Sequence, residues 1–106
     1  MARYLFIARY ESSGMQGVLA KGGSARAKVI EDAAAAAGGR MASFDFAFGD
    51  DDVFTICELP DNRAAAALAM AVNATGLTHV RTVVLLSPEE VDAASKQDVS
   101  YTAPGQ

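Results

Sequence analysis

The chain has 106 residues, of which 51% are hydrophobic and 21% are charged, and it carries a formal net charge of −4 at pH 7. This length and composition are those of a single globular domain, and the acidic charge without a basic stripe argues against nucleic acid or an anionic membrane as the main partner. Because Cys57 is the only cysteine, an intramolecular disulfide and a multi-cysteine metal site are excluded.

The first predicted element is a strand over residues 3–10, where aromatic and β-branched side chains are concentrated. Alternation places Leu5 and Ile7 on one face and Tyr4 and Tyr10 on the other, so that both faces are largely apolar. A strand with one solvated face would instead alternate between apolar and polar residues. We therefore expect each face of this strand to be covered.

Two helical segments separated by glycine are predicted next. A short helix over 14–20 leads to Gly22, and a longer helix begins with Ser24 as its N-cap. The apolar residues of the longer helix recur with a helical period and are Val29, Ile30, Ala33, Ala34 and Ala37. Gly38 and Gly39 then end this helix in the usual C-terminal position.

Two strands joined by a hairpin follow. Residues 40–48 alternate strictly, and one face is predicted to hold Ala42, Phe44, Phe46 and Phe48. The other face would hold Met41, Ser43, Asp45 and Ala47. The segment "GDDD" at 49–52 is typical of a polar turn, and residues 53–59 form the returning strand. A helix capped by Asp61 then leads to the fourth strand at 77–86.

A strong helix start follows the fourth strand. Ser87 and Glu90 are spaced as a capping box, and Pro88 occupies the first helical position. We expect this helix to extend to about residue 97, since helix ends are read to within one or two residues.

The order β-α-β-β-α-β is that of the ferredoxin-like fold, an α+β architecture in which two helices cover one face of a four-stranded antiparallel sheet. We assign this domain to residues 1–98 and a C-terminal tail to 99–106. The second face of the sheet would stay open, although its residues are apolar as well. Two such sheets packed face to face, with the helices outside, would form a dimeric α+β barrel, so a homodimer or higher oligomer is predicted.

The segment "AKGGSARAK", residues 20–28, is the first candidate site. Free backbone N–H groups at a helix start attract an anion, and neighbouring basic side chains add positive charge. The candidate ligand-binding residues are Lys21, Gly22, Gly23, Ser24 and Arg26, together with Arg81 from the fourth strand. In the alternative interpretation, the glycines only link two helical segments and the serine only caps the second. No nucleotide-binding glycine spacing is present.

Acid–base chemistry is a second option. His79 is the only histidine, and it could act as a general base with Tyr10 and Asp45 as further candidates. Alternatively, it is a structural or interface histidine with a hydrogen bond. Four polar residues lie on otherwise apolar strands: Tyr10, Ser43, Asp45 and Thr55. Either their side chains converge on a pocket, or they lie at solvated edges of the sheet.

Two further features favour structural interpretations. Cys57 lies in the middle of a strand beside Ile56 and is expected to be a small buried hydrophobe, because no motif supplies a base for it. The three carboxylates of residues 50–52 lack the spacing of a calcium-binding loop. We therefore predict no metal site.

Nearly the whole length of the chain resembles the GYD-domain family. The segments that carry the resemblance are "YLF" near the start, "GGSAR" at 22–26, "GGR" at 38–40, "FAFGDDDV" at 46–53, "LPDN" at 59–62 and the ending "SPEEVDAASKQDVSYTAPGQ". The resemblance implies a dimeric α+β-barrel protein without an established biochemical function. Asp51 departs from the family pattern, which has an aromatic residue between the positions of Gly49 and Asp52. A site that this aromatic forms in relatives would be altered here.

These features predict a soluble, cytoplasmic, homo-oligomeric protein that binds a small anionic or aromatic molecule and needs no cofactor. The N-terminal segment is too charged for a signal peptide, and no segment reaches the about 20 apolar residues of a membrane span. Two alternatives stay open. One is a cofactor-independent enzyme of the dimeric α+β-barrel type, similar to monooxygenases or isomerases. The other is a structural or regulatory module whose C-terminal helix and tail serve assembly.

Overall fold

The computed structural model describes residues 1–106 and contains four strands and four helices. The strands are β1 (Ala2–Tyr10), β2 (Arg40–Phe46), β3 (Val53–Leu59) and β4 (Thr78–Leu85). The helices are α1 (Ser12–Lys21), α2 (Gly23–Ala36), α3 (Asn62–Asn73) and α4 (Pro88–Ser95). The strands form one antiparallel sheet in the order β2-β3-β1-β4, which confirms the predicted ferredoxin-like α+β fold.

The hydrophobic core lies between one face of the sheet and the helices α2 and α3. Its buried members are Tyr4, Phe6, Cys57 and Leu59 from the sheet and Ala34, Ala65 and Leu68 from the helices. The small alanine side chains let both helices lie close to the strands, as interiors packed to crystal-like density require. The Tyr4 hydroxyl donates a hydrogen bond to Oδ1 of Asn62 at 2.7 Å, which ties the central strand to the first turn of α3.

The opposite face of the sheet carries no helix. Residues directly opposite each other on antiparallel strands share a side of the sheet, so the register gives the composition of this face. Its apolar block, which we call the open face, consists of Leu5, Ile7, Phe54, Ile56, Val83 and Leu85. The charged residues around the block are Arg3, Arg9, Arg40, Asp45, Glu58, His79 and Arg81. The prediction that both faces of β1 are apolar is confirmed.

Strand β2 contains a β-bulge that the sequence alternation did not reveal. The register slips between Met41 and Ser43, so that Ala42 is the extra residue. Met41 therefore lies on the same side of the sheet as Phe44 and packs against the core. The predicted placement of Met41 on the opposite face is wrong for this reason.

The N-terminal helices begin differently from the prediction. Gly22 is the N-cap of α2, with a φ of 91°, and no side chain caps this helix. The predicted capping role of Ser24 is therefore wrong, since this residue already lies in the first helical turn. The predicted linker role of Gly22 is confirmed, because a positive φ favours glycine.

The caps of the two later helices agree with the prediction. Oδ1 of Asp61 accepts a hydrogen bond from the backbone N–H of Ala64 at 2.9 Å. Oγ of Ser87 accepts from the N–H of Glu90 at 3.1 Å, while the Glu90 carboxylate accepts from the N–H of Ser87 at 3.0 Å. This is the complete capping box, although α4 ends at Ser95, slightly earlier than predicted.

Beyond β4 the chain leaves the body of the domain. We call residues 86–106 the C-terminal arm; Ser87 is half-buried and every other residue of the arm is exposed. The radius of gyration is 16.8 Å, whereas a compact chain of this length has about 13 Å. The molecule accordingly measures 56 × 33 × 23 Å. None of the helices combines the length and apolar character that crossing a membrane requires.

Candidate ligand-binding cleft

A cleft separates two helices on the core side of the sheet. Helix α2 packs mainly on β2 and helix α3 mainly on β4, so the helices diverge over the central strand β1. Helix α1 packs on α2 and borders one end of this gap. The cleft has a volume of about 480 Å³, and a smaller pocket of about 30 Å³ lies against the sheet. The residues that line both are Tyr10, Arg26, Ile30, Leu68, Val72 and Thr78.

Small residues keep the cleft open. Its helical walls include Gly17, Ala25, Ala33 and Ala71. Two alanines of the alanine-rich segments, Ala34 and Ala65, are buried and let the helices lie close to the sheet. Other small residues of the same helices face the gap, where they leave room that larger side chains would fill.

Helix α1 is held in place by a close backbone approach. A Cβ atom on Gly14 would come within 2.3 Å of the Leu77 carbonyl oxygen. The same carbonyl accepts a hydrogen bond from the N–H of Glu11 at 2.9 Å. Glycine at position 14 therefore lets the start of α1 lie against the segment that leads into β4.

Arg26 is the cationic group at the centre of the cleft. Its guanidinium carbon lies 5.8 Å from the centroid of the Tyr10 ring, which is a cation–π distance. Its Nε atom is shielded from solvent and has no hydrogen-bond partner, and no carboxylate forms a salt bridge with the side chain. Since buried polar groups normally have partners, the Nε–H of this half-buried residue can donate a hydrogen bond to an oxygen ligand.

The neighbouring lysines differ in their availability. Lys21 lines the cleft and has no carboxylate partner. Lys28, on the exposed side of α2, lies 3.0 Å from Asp32 and 3.4 Å from Glu31. The hydrogen bonds to Asp32 and Glu31 raise the pKa of Lys28. Lys21 is therefore the cation that can assist Arg26.

The predicted anion site is brought together only in part. Lys21, Gly22 and Arg26 line the cleft, whereas Gly23 and Ser24 do not. Arg81 lies beside the open face, on the other side of the sheet, where its Nη2 is 3.3 Å from the Asp51 carboxylate. Asp51 thus pairs with an arginine on the side of the sheet away from the cleft.

The acid–base candidates are placed apart from one another. Tyr10 lines the cleft, whereas His79 lies on the other side of the sheet with its Nε2 2.6 Å from Oε1 of Glu11. Asp45 is exposed on the edge strand β2, at the far side from β4. The geometry therefore does not assemble His79, Tyr10 and Asp45 into one site.

The other polar positions are divided in the same way. Thr55 lines the inner pocket and its hydroxyl donates to the carbonyl of Ser43 at 2.7 Å, while the Ser43 side chain belongs to the open side of the sheet. One of the hairpin carboxylates binds the backbone, because Oδ2 of Asp52 accepts a hydrogen bond from the N–H of Tyr10 at 2.8 Å. That bond fixes the end of β1 at the cleft.

Cys57 lies in the core, where it is fully buried. Burial raises the pKa of its thiol, partly offset by Thr55. A buried, protonated thiol is a poor nucleophile, so the predicted role as a small hydrophobe fits its surroundings.

We expect native Cys57 to react with iodoacetamide at pH 8 at least about a hundredfold more slowly than in denaturant, because reaction requires opening of the core. Stability should fall as the pH rises above the ordinary thiol pKa, since the unfolded chain loses this proton first. Replacing Cys57 with valine should remove that decline. Equal labelling rates in the native and denatured chains would contradict this expectation.

Residues of α1, of α3 and of the segment between α3 and β4 complete the cleft and were not recognised as site residues in the sequence. The additional ones are Ser13, Gly17, Val18, Ala71, Val72, Thr75 and Leu77. The only available signal was the abundance of small residues in both helices, which indicates close packing as readily as a cavity.

The fold and the cleft define a ferredoxin-like α+β domain with a ligand-sized cavity between its helices and its sheet. The GYD domain model matches residues 4–95, so the chain belongs to the GYD-domain family. The matched range extends to the last residue of α4, which makes this helix part of the family domain. No curated protein and no solved structure matches the chain.

Proposed function

We propose that this chain is a homo-oligomeric protein that binds a small molecule with an apolar body and an anionic group. The cleft between α1, α2 and α3 is the binding site, and Arg26 is the anchor for the anion. The observation that carries the proposal is the half-buried guanidinium of Arg26, which has an unpartnered Nε and lies over Tyr10.

The choice of an anion follows from the state of Arg26. Its Nε is withdrawn from water without a partner, which is destabilising, and an opposite charge with good hydrogen-bond geometry offsets that cost. The planar guanidinium suits a carboxylate or a similar oxyanion because it can donate two parallel hydrogen bonds. Lys21 at the edge of the cleft adds to the positive potential.

The choice of an apolar body follows from the lining. Most of the residues around the inner pocket are hydrophobic, and its polar side chains are Tyr10, Arg26, Thr55 and Thr78. The cleft volume of about 480 Å³ is within the range of about 300–1,000 Å³ found for small-molecule sites. A compact aromatic or aliphatic carboxylate satisfies both requirements.

The homo-oligomer is supported by the open face. Six apolar residues of the sheet form a continuous block with a charged border, the arrangement of a protein interface with an apolar centre and a polar rim. A second sheet placed face to face would cover this block and leave the cleft on the outside of each copy.

The binding proposal is tested with two matched probes, 3-phenylpropionate and the uncharged 3-phenylpropan-1-ol, titrated calorimetrically. Arg26→Ala is expected to raise the Kd of the carboxylate at least about tenfold, because a hydrogen bond to a charged group contributes about 1.5–3 kcal/mol. The same variant should leave the weaker binding of the alcohol unchanged. Arg26→Lys should give an intermediate Kd, since it keeps the charge and loses the planar fork.

Lys28→Ala is the control, because Lys28 belongs to the same helix and already has carboxylate partners. It should not change either Kd. Thermal melting of each variant establishes that the fold is retained. Equal affinity of the wild type and Arg26→Ala for 3-phenylpropionate would remove Arg26 from the site.

A further inference from the structure

The C-terminal arm is folded but is not packed. Helix α4 has eight residues, a complete capping box and no buried residue, and it makes no extensive contact with any other helix or strand. Isolated helices shorter than about 12–15 residues are marginal in water, and most helical stability in proteins comes from tertiary packing. An eight-residue helix therefore requires a surface to pack on, and this chain does not supply one.

The arm also exposes apolar side chains. Leu86, Val91, Val99 and Tyr101 have exposed fractions of 59%, 51%, 72% and 76%. Leu86 and Val91 occupy the positions before the cap and at the fourth helical residue, which can pair as a hydrophobic staple. Both nevertheless keep more than half of their surface in water, so a staple alone does not account for them.

The charges of the arm are complementary to those beside the open face. The arm carries Glu89, Glu90, Asp92 and Asp98 against the single Lys96. None of these carboxylates forms a salt bridge within the chain, and neither do Arg3 and Arg9 at the ends of β1. Opposite potentials of this kind orient two surfaces and fix their register.

The arm begins at the border of the open face, because Leu85 at the end of β4 lies opposite Arg3. The four strands lie about 4.8 Å apart, and each has up to nine residues with a rise of about 3.3 Å per residue. The projected area of this face of the sheet is therefore roughly 500 Å². A standard interface buries about 800 Å² on each partner. An arm that packs beside the open face adds to the area that a second copy covers.

We propose that the C-terminal arm packs against a second copy of this chain, beside that copy's open face, with its carboxylates toward the arginines at the ends of β1. The proposal rests on the homo-oligomer proposed above and adds the segment that crosses between copies. Each copy gives its arm and receives one, as a symmetric pair requires. The contact thus removes from water the apolar side chains that the arm exposes.

Hydrogen exchange of the full chain at different protein concentrations tests the proposal, with sedimentation equilibrium giving the dimer Kd. The amides of α4 should exchange at least about tenfold more slowly at a hundred times the Kd than at a hundredth of it, because mass action populates the dimer. Val91→Asp should raise the dimer Kd at least about tenfold. Gln97→Asp, which adds the same charge at an exposed position after α4, should leave it within about threefold.

Each other outcome decides between the two proposals. A dimer whose α4 amides are unprotected at every concentration overturns the arm contact and leaves the oligomer standing. If α4 is protected to the same degree at every protein concentration, the arm packs on its own chain. The proposal that the two copies exchange arms is then overturned. A chain that stays monomeric in sedimentation overturns both proposals.

Discussion

Val83→Asp is expected to dissociate the proposed oligomer into single chains. Val83 belongs to the open face, lies on the edge strand β4 opposite Leu5, and has 38% of its surface exposed. An isolated chain can therefore keep the new carboxylate in water. A symmetric face-to-face pair would bury two carboxylates in an apolar centre, so the Kd should rise at least about a hundredfold, or about 2.7 kcal/mol.

Met70→Asp provides the matched control for this experiment. Met70 is 69% exposed on α3, on the other side of the sheet from the open face, and the substitution introduces the same charge in place of an apolar side chain. Sedimentation equilibrium should give the wild-type Kd for this variant, and circular dichroism should show an unchanged fold for both. If the two variants associate equally well, the open face is not the interface.

Gly39→Ala is expected to destabilise the domain by about 2–3 kcal/mol, the upper part of the range for overpacking. A Cβ atom at this position would lie 1.9 Å from the Glu58 carbonyl oxygen and 3.0 Å from Cα of Leu59. These are backbone atoms of the neighbouring strand β3, which cannot rotate away. The start of β2 would have to separate from β3 to relieve the contact.

Gly17→Ala gives the comparison for the stability measurement. No atom outside its own helix lies within 4 Å of a Cβ at this position, and the residue sits within α1. Alanine in a helix interior is favoured over glycine by about 0.5–1 kcal/mol. Urea denaturation should therefore show the two alanine variants on opposite sides of the wild type. A Gly39→Ala variant as stable as the wild type would show that β2 and β3 do not approach as closely as described.

The features that the sequence predicted well are those governed by neighbouring residues. Asp61 caps α3 because its carboxylate reaches an N–H three residues away, and Ser87 with Glu90 does the same for α4. The bounds of β3 and the two apolar faces of β1 follow from simple alternation. The start of α2 is an exception. Gly22, which has a positive φ, is the N-cap of this helix, so Ser24 lies inside the helix and does not cap it.

The features that the sequence did not predict depend on how elements are placed relative to one another. The bulge at Ala42 is set by the pairing of β2 with β3, and the alternation of β2 alone gives no sign of it. The cleft exists because α2 and α3 pack on different strands, so Arg26 meets Tyr10 while Arg81 faces the other way. Composition and spacing carry no information about that divergence.

Helix α1 is the least firmly anchored wall of the cleft. It has no buried residue, unlike α2 and α3, and it joins α2 through Gly22. Elements with few buried apolar contacts open locally at a small fraction of the free energy of global unfolding. Because the start of α1 is held at Leu77, the part that can open locally is its C-terminal half beside Gly22, and such opening would widen the cleft while the sheet and α3 stay intact.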